Sequence, residues 1–143
     1  AGEMSRLLGE SKSNIIDDRL AALREAVRRF EHCFLLKGTP SLILNAGRGI
    51  LVGSQGTSDL AVGGMGDSLT GVCGALLAQG LGVMEAGALS LYLTGRAANL
   101  AARGASLTPT DVIQWIPDVL VERGAGISEL GLPFVSYDAD AAR

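Results

Sequence analysis

Three glycines and an aspartate stand directly before a long apolar run in LAVGGMGDSLTGVCGALLAQGL, residues 60–81. Gly63, Gly64 and Gly66 remove side chains where a helix is about to start, and Asp67 supplies a charge. A helix N-terminus carries unpaired N–H groups and a partial positive charge. Glycines in front of it let an anion approach those groups. Gly63, Gly64, Met65 and Gly66 therefore read as an anion loop. A carboxylate beside a bound phosphate can accept the proton of a hydroxyl as that oxygen attacks phosphorus. The loop N–H groups would meanwhile hold the growing negative charge. A nucleotide supplies such a phosphate, so Asp67 is the candidate base. The same residues also fit a tight turn with Asp67 as a helix cap, and both readings stand on local sequence. The spacing is neither G-x-G-x-x-G, since Leu69 occupies the last glycine position, nor a Walker loop.

Lys37 is the second candidate. It ends an apolar run and precedes Gly38, and a lysine at a strand's C-terminal end faces the crevice where ligands bind in open α/β sheets. It reads either as a phosphate contact or as a solvated strand-end lysine. His32 is the sole histidine, which argues against a histidine-rich metal site or a Ser–His–Asp triad; it reads as a cap for the helix ending near Phe30. Cys33 and Cys73 lack zinc spacing and sit among apolar neighbours, as buried free thiols do.

The elements that must position these residues follow from periodicity. Residues 14–30 read as one amphipathic helix, with Ile16, Leu20, Leu23, Val27 and Phe30 at helical spacing, acids at its start and arginines at its end. CFLLK, SLILN and ILVG are short apolar runs that predict three strands, the last two joined as a hairpin by a turn at 46–49. Residues 68–79 and 84–102 predict two helices, stopped near Gly80 and Gly104. They are apolar nearly all round and need cover on more than one side. The Gly71–Ala75 step reads as a close packing contact. A third helix opens with a Thr108 cap, Pro109 in its first turn and Asp111 three positions after the cap; Pro117 is expected to kink or split it. The tail has no sustained period and reads as an extension over residues 124–143. Helix, strands, then helices predict an α/β layered domain.

The chain has 143 residues, 48% hydrophobic and 19% charged, a globular balance. A net charge of -3 and 4% aromatic residues argue against a nucleic-acid partner. The first residues have no apolar core of a signal peptide, and Gln79 and Glu85 interrupt the longest apolar region. No membrane span and a reduced, cytoplasmic location are expected.

In combination, LKG, GGMGDSLTG and ALLAQGL resemble the ADP- or ATP-dependent NAD(P)H-hydrate dehydratases of the ribokinase-like superfamily. AGEMSRLLG is similar to that family's HPGEMARLLG, and LTPTDVIQWIPDVL to its ASDLIEALPRVL. The resemblance covers residues 1 to about 120. It implies part of a three-layer αβα sandwich, with residues 1–123 as the C-terminal portion of the domain. It implies dehydration of hydrated NADH or NADPH with ADP or ATP and Mg²⁺, the ring hydroxyl becoming a phosphate ester that then leaves. It places nucleotide binding on Lys37, Gly38, Thr39, Pro40 and Ser41, with Gly66 at the phosphate or ribose and Asp67, catalytic, facing the hydrated nicotinamide. A homo-oligomer is expected. The chain departs from the family pattern at Pro40, Ser41, Asp59, Thr94 and Asn99, and lacks the histidine of HPGE. A small-molecule kinase acting on a vitamin precursor or sugar would use the same loop and aspartate. The non-enzymatic alternative is a truncated nucleotide-binding module.

Overall fold

The structure, a computed structural model, describes residues 1–124 and 134–137. The chain divides into two compact units: the first comprises Ala1–Gly53 and takes in a strand from the tail, and the second begins at Ser54.

In the first unit, α1 (Gly2–Leu8) and α2 (Lys12–Asp17) precede α3 (Arg19–Phe30). The run read as one helix over 14–30 is broken at Asp18, whose backbone leaves the helical region. Its carboxylate accepts the Ala21 N–H at 2.8 Å and so caps α3. The break shifts the helical phase. Ile15 is fully buried while Ile16, expected on the apolar face, is 55% exposed. Leu23 and Val27 are buried as expected, with Leu20 and Phe30 packed against them. Arg28 and Arg29 occupy the last turn, but Glu31, in the left-handed region at φ 56°, closes the helix rather than His32.

The predicted strands are present as β1 (Phe34–Leu36), β2 (Ser41–Leu44) and β3 (Ile50–Gly53). Residues Phe134–Tyr137 add β4, which the sequence reading missed; the rest of the 124–143 extension beyond Gly124 lies outside the described residues. The sheet order is β1-β2-β3-β4 and every pair is antiparallel, with Leu36 opposite Leu42, Ser41 opposite Gly53 and Ile50 opposite Tyr137. The β2–β3 hairpin is the one expected. Leu36, Leu42, Leu44 and Ile50 share a core with Met4, Leu8, Ile15, Leu23, Ala26 and Val27 from the three helices. Alternate strand positions thus face the helices, as the period of two requires.

In the second unit a short 3-10 turn (Ser58–Leu60) leads to α4 (Met65–Ala78), α5 (Val83–Ala101) and α6 (Pro109–Gly124). α5 packs against both other helices. It is buried at Met84, Ala86, Gly87, Ser90, Tyr92, Leu93, Thr94, Gly95, Ala97 and Ala98. Its buried hydroxyls are satisfied within the helix, Ser90 Oγ donating to Gly87 O and Thr94 Oγ1 to Ser90 O, each at 2.8 Å. Gly95 admits the chain at Gln55 and Gly56, where an added Cβ would lie 3.0 Å from backbone atoms. The Arg96 guanidinium grips both carboxylate oxygens of Glu122 and ties α5 to α6.

Several expectations are corrected here. α5 ends at Ala102, left-handed at φ 49°, before Gly104. α6 runs through Pro117 without being split there; a kink, the other expected effect, is a separate matter of curvature. α4 buries only Met65 and Leu76, and Gly71 faces open space, so the Gly71–Ala75 step marks no packing contact. Among the described residues, Cys33 and Cys73 form no disulfide, and they are half-buried where burial was expected. Among the described residues, no helix is long and apolar enough to cross a membrane.

Candidate functional site

The turn between β1 and β2 carries Lys37, Gly38, Thr39, Pro40 and Ser41, in the first unit. Gly38 has φ 155°, and the Thr39–Pro40 peptide is cis. The Ser41 hydroxyl folds back on the turn: its Oγ donates to Gly38 O at 3.1 Å and lies 3.4 Å from the Gly38 N–H, which it accepts. The turn is therefore braced by its own last residue. Lys37 is exposed, and its ammonium donates to the Glu3 carboxylate at 3.3 Å. Both residues border a cleft of about 300 Å³ between α1 and β1, lined also by Met4, Leu7, Phe34 and Leu36. Beneath the turn lies Arg19, whose Nη2 donates to Leu36 O and Lys37 O, both at 3.4 Å. Burial holds its guanidinium below the ordinary arginine range.

Sequence reading found neither Glu3 nor Arg19. No cue for Arg19 lay in the sequence, because the start of α3 at that residue is itself a finding of the structure. A cation there opposes the helix dipole, so something other than the helix must favour it.

The loop of Gly63, Gly64, Met65 and Gly66 lies in the second unit. Gly64 is the N-cap of α4 and is left-handed at φ 86°. An added Cβ there would come within 3.3 Å of Pro109 Cγ, whereas one at Gly63 would meet nothing within 4 Å. Met65 is buried and anchors the first turn. The Met65 N–H bonds to Val62 O at 3.3 Å, and the Asp67 and Ser68 N–H groups to Gly64 O at 3.1 Å. Among the described residues, the N–H groups of Gly63, Gly64 and Gly66 have no backbone acceptor.

Asp67 is the third residue of α4, because the helix begins three residues before the expected start. It is exposed, and no side chain caps this helix. The cap reading of Asp67 is corrected: Gly64 takes that place and leaves the carboxylate uncommitted by it.

The departures from the resemblance have local explanations. Asp59 accepts the Thr57 hydroxyl at 2.9 Å, in the 3-10 turn before the loop. Thr94 is buried with its hydroxyl satisfied, and Asn99 is exposed. Among the described residues, no three His, Cys, Asp or Glu side chains are grouped to hold a metal ion.

The chain resembles known proteins at both levels. Its fold is similar to hydroxyethylthiazole kinase from Pyrococcus horikoshii, with a TM-score of 0.74 at 21% identity over 96% of this chain and 52% of that one. This places it within a partial ribokinase-like α/β fold. It is 38% identical to the bifunctional NAD(P)H-hydrate repair enzyme Nnr of Salinibacter ruber, over 86% of this chain and 23% of that protein. It is 37% identical to the ADP-dependent (S)-NAD(P)H-hydrate dehydratase of Neisseria meningitidis serogroup B, over 73% of this chain and 36% of that one. The chain thus spans well under half the length of these curated relatives. The family model described as NAD(P)H-hydrate dehydratase matches residues 1–118. On the strength of that match, the chain belongs to the NAD(P)H-hydrate dehydratase family.

Proposed function

We propose that this chain serves a nucleotide-dependent dehydration of hydrated NADH or NADPH, a hydro-lyase reaction that restores the reduced cofactor. The names of its relatives support the substrate and the use of ADP. The observation that supports the local chemistry is the start of α4: three glycine N–H groups without backbone acceptors among the described residues, beside an exposed carboxylate that does not cap α4.

In this proposal residues 1–123 form the C-terminal portion of the dehydratase domain. Lys37, Gly38, Thr39, Pro40 and Ser41 hold the nucleotide, ADP or ATP, and Gly66 meets its phosphate or ribose. The Lys37–Glu3 ion pair does not oppose this. Both side chains are exposed, at 43% and 69%, and such pairs contribute little, so the ammonium can exchange its partner for a phosphate. Mg²⁺, where the reaction uses it, would be carried by the nucleotide's own phosphates. Asp67 accepts the proton of the ring hydroxyl as the hydroxyl oxygen takes the terminal phosphoryl group. The nucleotide is left one phosphate shorter; the ring C–O bond of the phosphate ester then breaks, inorganic phosphate departs, and the neighbouring ring carbon loses its proton to solvent, which forms the double bond.

The test is Asp67→Asn in the active protein. Turnover of the hydrate should fall by at least about a hundredfold, while ADP binding measured by calorimetry stays within a few-fold of wild type. Wild-type turnover would remove the assigned role. Product analysis bears on the reaction class: free phosphate and recovered reduced-nicotinamide absorbance fit the dehydratase, whereas a stable phosphate ester would identify a kinase.

A further inference from the structure

Arg19 makes contacts that a helix surface residue has no need of. Its guanidinium donates to two successive carbonyls, Leu36 O and Lys37 O, at the end of β1. It also stands close against the turn. A Cβ added to Gly38 would stand 2.5 Å from Nη2 and 2.7 Å from Cζ. A trans peptide unit points its C=O and N–H in opposite directions. Pinning Lys37 O toward α3 therefore turns the Gly38 N–H away from α3, to the side where the Ser41 hydroxyl receives it. A single nitrogen, Nη2, serves both carbonyls, with Cζ and Nη1 also beside Gly38; a lysine side chain, one atom shorter, would not carry its ammonium to that position.

From this geometry we infer that Arg19 is a positioning residue for the nucleotide turn, an inference that rests on the nucleotide reading above. It orients the Gly38 amide outward and sets a fixed positive charge beneath residues that would meet an anionic ligand. It needs no contact with the nucleotide itself. Gly38 is matched to it, because any side chain there would displace the guanidinium.

The experiment is an ADP titration by calorimetry on wild type, Arg19→Met and Arg19→Lys, with circular dichroism and melting temperature recorded for each. The Gly38 amide resonance is followed alongside. Arg19→Met should weaken ADP binding about tenfold, the loss expected of one charge-assisted set of hydrogen bonds, and shift the Gly38 resonance in the free protein. Arg19→Lys keeps the charge on a shorter side chain that does not reach the position of Nη2, and should recover less than half of that loss in free energy. In a turnover assay the defect should appear in KM for ADP, with kcat unchanged. ADP affinity within twofold of wild type in a folded Arg19→Met protein overturns the inference alone. Should that variant not fold, an unaltered ADP affinity in Arg19→Lys overturns it equally. A wild-type protein that does not bind ADP removes the nucleotide reading, and this inference with it.

Discussion

Asp67 occupies a position where its charge is favoured but not consumed. The first turn of a helix stabilises a carboxylate, and the left-handed Gly64 has already taken the cap. Neighbouring glycines differ in what they do. Gly64 is required by the backbone, since a side chain at φ 86° costs about 1–2 kcal/mol and would also press on Pro109. Gly63 has neither constraint. Gly64→Ala should therefore lower the melting temperature by several degrees. Gly63→Ala should leave it unchanged and still weaken ADP binding, because its methyl group would stand where the anion must approach. Thermal melting and calorimetry on the two variants separate the roles, and unaltered ADP affinity in Gly63→Ala would remove Gly63 from the anion loop. The loop was legible in the sequence because glycines before a helix have few structural uses. Arg19 and Glu3 were not, since their meaning depends on α3 and α1 packing beside β1, a long-range fact that no local pattern contains.

Apart from α1 and β4, which were not read, element existence followed from periodicity, and element boundaries from chemistry that periodicity does not register. The run at 14–30 has helical spacing throughout, yet Asp18 offers its carboxylate to the Ala21 N–H and starts a new helix. The Thr108 cap was legible, because the pattern is local and self-contained. Thr108 Oγ1 accepts the Asp111 N–H at 3.2 Å, and the Asp111 carboxylate accepts the Thr108 N–H at 2.9 Å and its hydroxyl at 2.6 Å. These bonds, with Arg103 nearby, hold the Asp111 carboxyl below the usual carboxylate range. A depressed folded pKa contributes stability that is present above the unfolded value, about 3.9, and is lost as pH falls through the folded one. Asp111→Asn should thus lower the melting temperature at pH 6, and the difference from wild type should shrink as pH is brought toward about 3. A difference that stays constant over that range would place the effect in packing and not in the charged form of the box.

For the chain as a whole, the order of its motifs made the family legible, and the match over residues 1–118 bears that out. What composition could not reveal was β4, which joins residues 134–137 to β3 at a separation of more than eighty positions along the chain. Net charge is the other whole-molecule property, and it bears on how a nucleotide would arrive. At -3 the chain repels an anion at long range. The attraction assigned to Lys37, Arg19 and the start of α4 acts over a few ångströms. These two ranges respond differently to salt. The Debye length shrinks from about 30 Å at 0.01 M to about 8 Å at 0.15 M, so added salt first removes the long-range repulsion. The association rate for ADP, measured by stopped flow, should therefore hold steady or rise between those concentrations, while the dissociation rate rises as the local contacts are screened. A basic nucleotide-binding surface would do the opposite, its association rate falling steeply with salt. Such a fall here would mean that a focused positive field outweighs the acidic whole, and that the capture of the nucleotide is not local to these residues.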